Sequence, residues 1–99
     1  MMPDVKSDGA GAAEAVASAV RRFPRFELTV RRMMKADEAF REICEELAEA
    51  ESALLATERL PAPLREVRRE EWDALVHRLA VEVWEAIRRD ALSRGISMP

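Results

Sequence analysis

The sequence predicts an all-α chain built around an antiparallel helical hairpin, and three observations carry that prediction. No segment shows the period-two alternation or the clustering of β-branched and aromatic residues that marks a strand, and tyrosine is absent altogether. Phe40, Ile43, Leu47, Ala50 and Leu54 step 3, 4, 3, 4 along the chain, the spacing of an apolar helix seam. Further on, Trp72, Leu75, Val76, Leu79, Val83, Ala86 and Ile87 fall within about 120° of arc when each residue turns 100°, which gives a second helix one core face.

Taken in order, residues 1–9 contain Pro3, Asp4, Ser7, Asp8 and Gly9 with little apolar content, and are expected to form a disordered tail ahead of one domain over 10–99. Residues 10–23 are rich in alanine and place Val16, Val20 and Phe23 on one thin stripe, so a helix is expected there. Pro24 ends it, since proline cannot continue a helix and forces the preceding Phe23 out of the helical region. A short basic helix over 26–35 follows, with Phe26, Val30 and Met33 or Met34 on one side. Asp37 is the expected N-cap of an acidic helix over 37–58, whose seam is widened on one flank by Cys44, Ala48 and Leu55. Pro61 and Pro63 break the chain again, and the short connection predicts an antiparallel neighbour. That neighbour is a long helix over 64–93, opened by Pro63 and stopped by Gly95.

Two helices of this length bury each other along one seam only, so something must cover the open side. Residues 10–35 fold back to complete a three- or four-helix bundle, or two hairpins pair across a two-fold axis; a homodimer is the favoured assembly. Trp84 and Val81 lie roughly opposite Leu75 on the long helix, with His77 beside them. A tryptophan on the side that should be wet predicts cover by the N-terminal helix, by a second subunit or by another protein.

Composition excludes several function classes. No stretch free of Asp, Glu, Lys and Arg exceeds six residues, as in Ala15 to Val20, against about 20 for a membrane span. No membrane partner is therefore expected, and with Cys44 as the only cysteine a cytoplasmic location is the expectation. A net charge of −3 argues against nucleic acid. The charge is asymmetric, however, at +3 over residues 1–35 and −6 over residues 36–99. Arg21, Arg22, Arg25, Arg31, Arg32 and Lys35, interleaved with Phe23 and Phe26, therefore read first as a clasp onto the acidic helix and second as an anion-binding or weak nucleic-acid surface.

Catalytic signals are sparse, and neither a catalytic residue nor a cofactor is predicted. His77 is the only histidine and stands four residues after Asp73, a spacing that allows a surface ion pair or two metal ligands. Glu42, Glu45, Glu46 and Glu49 invite comparison with carboxylate-lined bundles, but the position three before His77 is Ala74, and these glutamates fall mostly outside the seam. A metal or redox bundle would have to combine Glu, Asp73 and His77 across subunits. Cys44 beside the seam is the usual place for a small buried thiol, whose pKa Glu45 and Glu46 would raise.

The segment from Asp37 through Phe40, Ile43, Cys44, Glu45 and Glu46 to Leu47, followed by Ala50 and Leu54, resembles a pattern of short uncharacterised bacterial helical-hairpin proteins, Asp-x-x-Phe-x-x-Ile-Cys-x-Asp/Glu with a proline-bearing loop and a second long helix. The likeness covers about residues 30 to 90 and implies a hairpin of bacterial origin with no known activity. The residues together predict a non-enzymatic helical interaction or adaptor protein, with Trp84, Val81, His77, Arg21, Arg22, Arg25, Arg31 and Arg32 as candidate partner-binding positions. Its core seam is expected to be Phe40, Ile43, Cys44, Leu47, Leu54, Trp72, Leu75, Leu79, Val83 and Ile87.

Overall fold

The computed structural model describes residues 4–96, and side chains from Gly11 onward. Four helices follow one another: α1 Asp4–Arg22, α2 Glu27–Ala36, α3 Glu38–Ala56 and α4 Ala62–Ser93. No strand occurs among the described residues. The molecule is flat, 49 × 43 × 18 Å, its long dimension close to the roughly 48 Å that 32 helical residues span.

Each boundary has a local cause. Met1–Pro3 of the expected tail lie outside the described residues, whereas from Asp4 on the chain is helical, so the helix starts six residues before Ala10. Once the alanine-rich run is helical, each added residue contributes a hydrogen bond without a new nucleation cost, which lets the helix extend backward past the composition boundary. Pro24 ends α1 as expected: Phe23 leaves the helical region at φ −130°, ψ 63°, and a single 3-10 turn over Pro24–Phe26 leads into α2.

Asp37 alone joins α2 to α3. It is extended at φ −128°, ψ 106°, and its carboxylate accepts a hydrogen bond from the Phe40 backbone N–H at 3.1 Å, the predicted N-cap. One turn into α3, the Arg41 guanidinium donates to the Met34 carbonyl at 2.6 Å and so satisfies an orphan acceptor at the end of α2. A second 3-10 turn, Thr57–Arg59, closes α3, and Pro61 caps α4 from outside. Pro63 stands at the second helical residue rather than the first, where an N–H is equally dispensable. At the far end, Gly95 adopts φ +80°, its N–H donating to the Leu92 carbonyl at 3.0 Å and that of Ile96 to Ala91 at 2.9 Å. This paired pattern is a Schellman stop, and the left-handed φ is why glycine stands there.

α3 is the central element, packed most extensively against α4 and next against α1, with α2 closing one end. The hairpin is therefore completed within one chain by residues N-terminal to it. Ala15, Ser18 and Ala19 are buried on α1, and their small side chains let α1 approach α3 closely. The core gathers Phe40, Cys44, Leu47 and Ala50 from α3 with Val76, Leu79, Val83, Ala86 and Ile87 from α4, and Val30, Met33 and Met34 of α2 cover its end. Of the predicted seam, Ile43, Leu54, Trp72 and Leu75 are only half-buried at its edge. Leu55, expected on the flank beside Cys44 and Ala48, is 74% exposed. It lies near the C-terminal end of α3, where no helix covers that flank.

Candidate functional site

Trp84, the strongest candidate anchor in the sequence, is covered by its own chain. Phe23 stacks on it with ring centroids 5.7 Å apart and planes at 24°, and Phe26 meets it edge-on at 5.6 Å and 61°. Both rings come from the break at Pro24, which turns the chain where it passes α4. The tryptophan is half-buried beneath the N-terminal segment. Val81 and His77 remain exposed. His77 forms no ion pair with Asp73 among the described residues, although both lie exposed on α4. The carboxylate–imidazole pair expected from their spacing is thus not made, since two solvated side chains gain little by holding one geometry.

Three of the six basic residues, Arg21, Arg22 and Arg32, hold elements together. Glu51 of α3 accepts from the Ser18 hydroxyl at 2.7 Å, from Arg21 at 3.2 Å and from Arg22 at 2.6 Å, the clasp onto the acidic helix that the charge asymmetry predicts. Arg31 pairs with Glu27 one turn back at 2.9 Å. Arg32 forks onto Asp90 of α4 at 3.3 and 2.6 Å, tying α2 to the end of the long helix. Arg25 and Lys35 are exposed. Of the six basic positions, only Arg32 is half-buried and the other five are exposed.

The Arg32 hydrogen bonds hold the Asp90 carboxyl below the usual aspartate range against the opposing effect of burial, and the Arg32 and Arg94 charges each add a smaller lowering. Because the folded pKa is the lower one, the stabilisation is fully present above the unfolded value of about 3.9 and is lost as pH falls through the folded value. Asp90→Asn is therefore expected to lower the urea midpoint at neutral pH, and the curves of variant and parent to converge in acid. Parallel curves at all pH values would remove the assignment.

Cys44 is fully buried, and burial, aided by the Glu45 charge, pushes its thiol up to about 12. At neutral pH it carries a proton and has little nucleophilic character. Among the described residues, no three His, Cys, Asp or Glu side chains come together as a metal site would require. A mixed polar cavity of about 610 Å³ lies where α2, α3 and α4 meet, bordered by Arg32, Asp37 and Asp90. Of its charged groups, Asp37 caps α3 and Arg32 and Asp90 pair with each other, while Glu38 and Arg89 stand exposed.

The remaining feature lies on the N-terminal arm of α4. From Ala62 to Leu75 no side chain is buried, a length of about 21 Å at 1.5 Å per residue. Leu64 is 42% and Val67 51% exposed. Arg68, Glu71, Trp72 and Leu75 line an open groove of about 340 Å³, mostly apolar in surface. Arg68 and Glu71 form an ion pair at 2.9 Å across one turn. Sequence reasoning missed this surface because Leu64 and Val67 sit to one side of the core arc, while Trp72 and Leu75 were assigned to the core.

No family model, no curated protein and no solved structure matches this chain. No helix of the described residues is long and apolar enough to cross a membrane.

Proposed function

We propose that this protein acts by helix-on-helix docking, with the N-terminal arm of α4 as its binding surface. The observation that carries this reading is the run from Ala62 to Leu75 without a fully buried side chain, on which Leu64 and Val67 stand exposed and Trp72 and Leu75, at the edge of the core, still border an open groove. Apolar side chains aligned on one side of a helix supply affinity when a second helix covers them, and the charges among them set orientation. Binding rather than catalysis suits the rest of the molecule. Its single thiol is buried and protonated, and its single histidine stands exposed without an ion pair among the described residues. The docking surface moves from Trp84, where the sequence placed it, to the arm, because Phe23 and Phe26 already occupy the Trp84 face.

The test is the double substitution Leu64→Asp with Val67→Asp. Both side chains are exposed, so circular dichroism and the melting temperature of the dilute chain should stay close to those of the parent. In an extract of the cells that make the protein, the parent should sediment in a complex, copies of itself included, and the variant should not. A melting temperature that drops as it would for a core substitution, or sedimentation identical for parent and variant, would refute the reading.

A further inference from the structure

Resting on the reading of the arm as a docking surface, we infer that its partner is a second copy of this chain, laid antiparallel across a two-fold axis that passes between Arg69 and Glu70. The inference comes from the order of residues on one stripe of the arm, exposed at Leu64, Arg68 and Glu71 and half-buried at Leu75, which borders the open groove. Leu64, Arg68, Glu71 and Leu75 step 4, 3, 4 and fall within about 60° of arc at 100° per residue. That stepping reads the same in both directions. Reversed onto itself, the stripe places Leu64 of one copy against Leu75 of the other, and Arg68 against Glu71, twice over. An isologous contact requires this self-complementarity, since each patch must fit its own inverted image.

Orientation follows from charge. A parallel pairing in register would set Arg68 on Arg68 and Glu71 on Glu71, whereas the antiparallel one sets opposite charges together at both central levels. The two groups are already presented side by side, joined at 2.9 Å within the chain, and can exchange that partner for the equivalent group of the second copy. Trp72 and Val67 flank the stripe on opposite sides, so the two-fold brings the two copies of Trp72 to one side of the seam, over the open groove. Of the other charges of this stretch, Glu66, Arg69, Glu70 and Asp73 point away from the stripe on the helical wheel, and Arg65, about 90° from its centre, donates to the Leu60 carbonyl at 3.3 Å. One helix per copy makes a small interface, so a concentration-dependent dimer is expected.

Sedimentation of the purified full chain over about a hundredfold concentration range tests this by mass action. The parent is expected to approach the dimer mass. Arg68→Glu and Glu71→Arg, each placing like charges across both symmetric levels, are expected to weaken the dimer at least tenfold, or about 1.4 kcal/mol. The double variant Arg68→Glu/Glu71→Arg restores complementarity and should restore the dimer, which no general loss of stability could do. A parent that stays monomeric throughout, or a dimer indifferent to both single reversals, overturns the inference. If that purified monomer still leaves its complex in the cell extract when Leu64 and Val67 become Asp, the docking surface stands and only the second copy falls. If the extract is also unaffected, both fall.

Discussion

Phe40→Ala is expected to lower the unfolding free energy by about 3–5 kcal/mol, the cost of emptying a buried aromatic site. Phe40 is 1% exposed and is the largest of the fully buried side chains. It stands in the first turn of α3, where the Asp37 cap fixes the backbone N–H, so the surrounding helices have little freedom to collapse into the void. A chain of 99 residues holds about 5–15 kcal/mol in total, and the substitution removes a large share of it. Urea titration reads the loss directly. The thiol gives an independent reading: Cys44 follows one turn after Phe40 and is fully buried, so its reaction with a thiol reagent should accelerate as the core opens. Leu55→Ala is the contrasting case, with a side chain 74% exposed and an expected change within about 0.5 kcal/mol. Equal effects at Phe40 and Leu55 would mean that the core lies elsewhere.

The contrast between those two residues shows what was legible in the sequence. Spacing alone identifies the face of a helix, and Phe40, Cys44, Leu47, Leu79, Val83 and Ile87 are buried where it places them. How far along that face a neighbour reaches is a property of the neighbour's length and path. Leu55 belongs to the flank of the seam and Leu64 opens the second helix, yet both side chains are exposed, at 74% and 42%. Local chemistry fared well for the same reason that periodicity did: the Asp37 cap, the Pro24 break and the Gly95 stop are each decided within about one helical turn. The helix start at Asp4 escaped composition because propagation from an alanine-rich run is cooperative over more than one turn.

The site was legible in part for a related reason. Opposite net charges on two stretches of one chain imply a clasp, but only the fold selects Glu51 from the acids of α3 and Asp90 from α4. Ser18 shows the selection at work: buried among alanines on α1, its hydroxyl needs an acceptor, and Glu51 is the carboxylate at hand. The charge that looked available for a ligand is thereby spent on packing. The self-complementary order Leu64, Arg68, Glu71, Leu75 was present in the sequence throughout, but it acquires meaning only once Leu64, Arg68 and Glu71 are seen to be exposed and Leu75 to border the groove.

Trp84→Ala separates an intramolecular tryptophan from an interface anchor. If Phe23 and Phe26 cover Trp84 as observed, the substitution removes both aromatic contacts at once, and the dilute chain should lose about 2–4 kcal/mol, less than a fully buried tryptophan would cost because the ring is half-exposed. The loss should be concentrated at the joint between α1 and α2. Trypsin is expected to cut first near the exposed Arg25, releasing α1, whereas the hairpin of α3 and α4 should resist longer, since local opening precedes global unfolding where contacts are fewest. Trp84→Phe retains an aromatic surface under Phe23 and should recover most of the stability. An interface anchor behaves in the opposite way: the melting temperature of the dilute chain would stay unchanged, and only the mass of the assembly would fall. That outcome would return the docking surface to the Trp84 face and leave the α4 arm without its assigned role.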